Sequence, residues 1–102
     1  MLKLHPNCEY CDKDLPPESL KANICSYECT FCSDCVNGIL KNVCPNCGGG
    51  FVPRPIRPKM EHRPGENLNH HPASTIRINT KYSREEIAGF CNSINGIAPE
   101  DR

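Results

Sequence analysis

At 102 residues, with 37% hydrophobic residues, no Trp, ten Pro and seven Gly, the chain has room for one ordinary domain but too little continuous apolar sequence to close it around a conventional core. Formal net charge is zero: four Lys face six acids in residues 1 to 50, and eight Lys and Arg face six acids afterwards, so no strongly basic or acidic body singles out a nucleic acid or a membrane surface. What stands out is nine cysteines, which imply either a disulfide framework or metal sites.

In chain order, Met1-Leu2-Lys3-Leu4-His5-Pro6 leads at once to Asn7 and Cys8 and gives no apolar run for a secretory signal or a membrane span. The expectation is a cytoplasmic, reducing setting without membrane contact, where paired thiols are held by zinc rather than by disulfides. Cys8-x2-Cys11 comes first, then after thirteen residues Cys25-x3-Cys29-x2-Cys32-x2-Cys35, and after eight more Cys44-x2-Cys47. Zinc takes four ligands in a tetrahedron, with sulfur at about 2.3 Å, and two cysteines separated by two residues reach one ion from a tight turn. Four pairs therefore make two sites. Cys8, Cys11, Cys25, Cys29, Cys32, Cys35, Cys44 and Cys47 are the candidate metal ligands for two Zn2+ ions per chain. The eight can be shared in sequence order or interleaved, and the spacing leans toward the second. With eight thiolates and two ions the front half falls to a formal charge of about −6, a poor surface for phosphates.

A short helix is predicted over about residues 34 to 41, weakened by Gly38, with Cys35 in its first turn. In Cys44-Pro45-Asn46-Cys47-Gly48, Pro45 presets the turn and Gly48 can take positive φ, so that amides can point at the thiolates. Leu4, Tyr10, Leu15, Leu20, Ile24, Phe31, Val36, Ile39, Leu40 and Val43 form a candidate apolar cluster between the ions. It is too small to order roughly fifty residues, whereas a structural zinc contributes on the order of 10 kcal/mol or more. The module ends near residue 52, after Gly48-Gly49-Gly50. Residues 53 to 82 read as a basic, Pro-rich linker, mostly extended and solvated, with a short strand predicted over residues 74 to 79. Ser83-Arg84-Glu85-Glu86 reads as a capping box opening an amphipathic helix within residues 83 to 96, stopped by Asn95-Gly96 and followed by a flexible end to residue 102. Ile87, Phe90, Cys91 and Ile94 make its apolar face, which is expected to dock on the module or on a second copy with Phe90 as anchor.

The text around the cysteines resembles that of RING finger domains. Phe31 precedes the fifth ligand, a short helix follows Cys35, and Cys44-Pro45-Asn46-Cys47 closes the pattern. The resemblance implies a small metal-dominated zinc-binding domain with a RING-like, treble-clef cross-brace and one short helix. It would place Cys8, Cys11, Cys32 and Cys35 on one ion and Cys25, Cys29, Cys44 and Cys47 on the other. Over roughly its first fifty to sixty residues the chain is also similar to a short bacterial cysteine-rich zinc-binding family of unknown function, which implies metal binding without naming a task. Four departures separate it from RING ubiquitin ligases: Cys29 replaces the usual His, Glu9 stands where an aliphatic residue meets the carrier enzyme, no Trp lies between Cys35 and Cys44, and glycines follow Cys47.

Nothing resembles a phosphate loop or a nucleophilic triad, and closed four-sulfur sites leave no position for a reacting water, so no enzyme activity is expected. Cys91 reads as a small buried apolar residue, and His62, His70 and His71 as solvated side chains of the linker. The function expected is that of a small protein-interaction module. A nucleic-acid-associated regulatory protein using the basic tail is the alternative, a RING-type ligase-like activity the second alternative, and the oligomeric state is left open.

Overall fold

The computed structural model describes residues 1–102. Ala22–Ile24 (β1) and Thr30–Cys32 (β2) form an antiparallel hairpin, with Ala22 opposite Cys32 and Ile24 opposite Thr30. Its turn is the second cysteine pair: the Cys25 amide donates to the Cys29 carbonyl at 3.2 Å, and Glu28 takes φ 65° to close the bend. Val52–Pro53 (β3) adds on the far side of β1, giving the order β2-β1-β3. Such strands leave no alternation in sequence, which is why none of the three was predicted.

β2 runs directly into Ser33–Asn37 (α1), with Cys32 as its N-cap and Cys35 inside it. This helix is shorter than the predicted residues 34 to 41. Gly38, its C-cap, leaves helical geometry, and Lys41 and Asn42 then adopt φ 49° and 59°, two left-handed residues that turn the chain toward the last cysteine pair. Arg84–Ile94 (α2) begins as the sequence predicts. The Glu86 amide donates to Ser83 Oγ and the Ser83 amide to Glu86 Oε1, each at 3.1 Å, completing the capping box. No helix is long and apolar enough to cross a membrane.

The buried cluster joins Leu15, Ala22, Phe31, Val36, Leu40 and Val43 to Ile87 and Cys91 of α2, with five of the paired cysteines among them. The tail helix therefore docks on the front half, with Ile87 and Cys91 rather than Phe90 as its buried anchors. Ile87 and Cys91 are 1% and 0% exposed while Phe90 is 40% exposed, because the docking stripe runs along positions 87 and 91 and leaves Phe90 at its rim. Leu20, predicted as core, is also exposed. Phe31 is braced edge-on by Phe51, with ring centroids 5.4 Å apart.

Residues 53 to 82 lie against the front half at several points where a solvated linker was expected. Arg54 is buried, donating from Nη1 to the His5 carbonyl at 2.8 Å and from Nη2 to those of Leu15 and Pro16 at 3.1 and 2.9 Å. Arg57 likewise donates to the carbonyls of Leu2 and His71. Residues 74 to 79 form no strand. The Asn7 carboxamide replaces the ladder, accepting from the Ile78 amide at 3.2 Å and donating to its carbonyl at 2.9 Å, while Arg77 reaches Asp12 and Asp14. The residues expected to be flexible at the chain end form a 3-10 turn, Pro99–Asp101, and Arg102 donates to the carbonyls of Asn42 and Gly48.

Candidate metal centres

Two turns of the same design carry the first and last cysteine pairs. The Asp12 amide donates to the Cys8 carbonyl at 2.9 Å and the Gly48 amide to that of Cys44 at 2.7 Å; Cys8 and Cys44 in turn donate to Lys13 and Gly49, at 2.9 and 2.8 Å. The residue after the second cysteine must be left-handed in both, and it is: Asp12 has φ 64° and Gly48 φ 81°. Each turn presents its two sulfurs on one side. Further N–H groups aim at sulfur, Tyr27 at Cys25 Sγ (3.3 Å) and Gly49 at Cys47 Sγ (3.4 Å), and such bonds favour thiolate over thiol.

The fold brings the first pair to the third. The sulfurs of Cys8, Cys11, Cys32 and Cys35 all lie within 4.8 Å of one another, and Cys11 Sγ is 3.7 Å from Cys32 Sγ. A tetrahedral ion with sulfur at about 2.3 Å requires sulfurs about 3.8 Å apart, so this donor set fits such an ion. The second pair meets the fourth: Cys25, Cys44 and Cys47 form another group within 4.8 Å. Cys29 stands outside that group, although its thiol interacts with those of Cys44 and Cys25. Seven of the eight predicted ligands are thus gathered into two interleaved clusters. Cys91 lies apart, buried, with its thiol 3.5 Å from the Val43 carbonyl, and none of the nine cysteines is in a disulfide.

The electrostatics explain what such clusters require. Burial drives the Cys25 thiol up to about 11, and burial together with the neighbouring Cys32 and Cys8 sulfurs raises Cys35 well above the ordinary thiol range. Cys44 is raised by its contact with Cys29 and by burial, while contact with Cys44 and the side chain of Asn46 brings Cys29 down to about 5. Crowded, buried sulfurs cannot all become anions alone. A divalent cation removes that restriction by neutralising the charge where it forms.

All eight paired cysteines fall within residues 1–57, and those residues match the family described as "Protein of unknown function (DUF1272)". The chain belongs to the DUF1272 family. It is 53% identical over 78 residues to an uncharacterized protein of Rhizobium meliloti (strain 1021), a match covering 76% of this chain and 86% of that protein. No solved structure matches this DUF1272 chain.

Two participants escaped the sequence reading. Glu9, placed by the RING resemblance at an outward contact position, is 5% exposed and turned inward, its Oε2 accepting from the Thr30 amide at 2.9 Å and its Oε1 from Asn46 Nδ2 at 3.1 Å. Asp12 occupies the left-handed position that glycine fills in the last turn, and only the repetition of Cys-x2-Cys hinted that both turns need one. His62, His70 and His71 join neither cluster; His70 bonds to Asn67 instead.

Proposed function

We propose that this chain is a non-enzymatic zinc protein that holds two ions in a RING-like cross-brace and acts by binding another protein. The observation that carries the metal half is the interleaved, thiol-only gathering of the sulfurs, with the 3.7 Å separation of Cys11 and Cys32. Sets of four sulfurs suit zinc, which has no geometric preference of its own and no redox chemistry to expose. Cys8, Cys11, Cys32 and Cys35 hold one ion, and Cys25, Cys44 and Cys47 hold the other with Cys29 completing its shell. When bound, the ions supply cross-links and charge neutralisation; the chain's own contribution is to hold each thiolate with turns and amides. A reducing compartment such as the cytoplasm suits such thiols.

The interaction half is supported by apolar side chains left at the surface beside the second cluster. Tyr27 is 76% exposed, and with Phe90 and Ile97 it borders an opening over Gly48 and Gly49. The nucleic-acid alternative loses cations, since Arg54, Arg57 and Arg77 are spent on the chain's own carbonyls and carboxylates. The ligase alternative loses its contact at Glu9, which faces inward. Metal analysis of reduced protein is expected to give two zinc ions per chain, and a value near one overturns the two-site reading. Affinity capture from the cell of origin is expected to retain a protein that Tyr27→Ala releases. Capture of nucleic acid that salt removes steeply would replace the protein reading.

A further inference from the structure

We propose that Glu9 is a positioning residue that couples the two metal centres, setting the Cys29 side of the second from inside the turn that builds the first. The inference rests on the two-site reading above and follows from where Glu9 reaches.

Glu9 lies between Cys8 and Cys11, so its backbone is fixed when those two sulfurs are held. Its side chain leaves that turn and bonds to Thr30, which stands between Cys29 and the first cluster's Cys32, and to Asn46 inside the fourth pair. Oε2 takes the Thr30 amide at 2.9 Å, and the Glu9 amide returns a bond to the Thr30 carbonyl at 3.0 Å, a two-point clamp on the residue next to Cys29. Oε1 takes Asn46 Nδ2 at 3.1 Å, and Asn46 lies between Cys44 and Cys47. Asn46 and Cys29 also line one opening together with Tyr27 and Cys47. A single carboxylate thus ties the first pair to residues beside the second and within the fourth.

A carboxylate in that place is electrostatically unfavourable. Glu9 is 5% exposed, and the Thr30 and Asn46 donors are what offset the cost of holding a carboxylate there. An apolar side chain would fill the space without that cost, so the hydrogen bonds are what Glu9 contributes. They are needed on the Cys29 side, because Cys29 is the one paired cysteine outside the close groups. Loading the first centre holds Cys8 and Cys11, which holds Glu9, which holds Thr30 and Asn46 in place for the second. By linkage a loaded second centre holds the first tighter by the same factor, so in a titration that empties the second centre first the whole factor is read at the second.

Cadmium-113 NMR of the full chain, titrated against a competing chelator, resolves the two centres, and Cys11→Ser identifies the signal of the first. Glu9→Ala is expected to weaken the second centre about 10- to 100-fold while changing the first little, the range typical of a residue that orients a metal ligand. Glu9→Gln, with the same volume but only one acceptor oxygen, is expected to fall between; it serves as the test if Glu9→Ala does not fold. In the Glu9→Ala background, adding Cys11→Ser should weaken the second centre no further, although it does so in the unaltered chain. Equal weakening of both centres, no weakening of the second, or additive effects in that cycle overturn the coupling role. An unaltered chain binding fewer than two cadmium ions overturns the two-site reading itself, and this inference with it.

Discussion

A Cβ added at Gly38 would lie 2.8 Å from the Asp34 carbonyl oxygen, closer than real side chains approach backbone. Helix propensity alone predicts that Gly→Ala near a helix end gains up to about 1 kcal/mol. The collision reverses the sign. Gly38→Ala is expected to destabilise the protein by about 1–3 kcal/mol, the usual range for atoms forced into filled space. Gly89→Ala, inside α2 where an added Cβ meets nothing within 4 Å, is expected to stabilise by up to about 1 kcal/mol. Denaturant midpoints of the two variants check the contrast. At this scale the sequence was legible wherever a residue's role is local. Cys44-Pro45-Asn46-Cys47-Gly48 announces its own turn, and Gly48 has the positive φ expected of it. Glu9 and Arg54 gave no such signal, because their partners lie 21 to 49 residues away and depend on the finished fold.

α2 shows how an element can be predicted in its start and misread in its contacts. Its capping box depends on four consecutive residues and was readable; which of its apolar side chains meets the front half depends on how the helix is rotated over Val43 and Gly48. Ser83→Ala is expected to cost about 1 kcal/mol and to raise amide exchange in the first turn. Ile87→Ala, which empties a fully buried position, should cost about 2–5 kcal/mol and free the whole helix. Phe90→Ala should cost less than Ile87→Ala, since Phe90 remains 40% exposed. Hydrogen exchange across residues 84 to 94 separates the three, and the reverse order for the last two would restore Phe90 as the anchor. The sheet was illegible for a different reason. Its two longer strands have three residues each, two of the six being Phe31 and Cys32, already assigned to core and cluster, so no period-two pattern exists to be read.

For the molecule as a whole, six of the thirteen residues in the buried cluster are cysteines, so what happens to the sulfurs decides whether the core persists. Chelator added under reducing conditions is expected to remove the sheet and release α2 together, because Ile87 and Cys91 pack against the cluster that the sulfurs complete. Release should be ordered. Cys11 and Cys47 expose one sulfur in each centre, but only the second has a paired cysteine, Cys29, standing apart, so the second centre should empty first, seen as early shifts of the Tyr27 and Gly49 amides that donate to its sulfurs. The interleaving that the spacing favoured is present in the gathered sulfurs. The packing of residues 53 to 82 was hidden, because Arg57 bonds to Leu2 and Asn7 to Ile78 across separations of 55 and 71 residues.

Interleaving also sets an order of birth. Synthesis delivers Cys8, Cys11, Cys25 and Cys29 before Cys32, so the first thiols to leave the ribosome come from both clusters, Cys8 and Cys11 from one and Cys25 from the other. A nascent chain that captures an ion with those four is wrongly wired and must hand it over by ligand exchange as Cys32 and Cys35 emerge. A fragment ending at Thr30 is therefore expected to bind one metal ion in an arrangement that the full chain discards. Metal supplied during synthesis should then slow maturation relative to metal supplied afterwards, a difference that pulse-labelled cell-free synthesis followed by chelator challenge can measure.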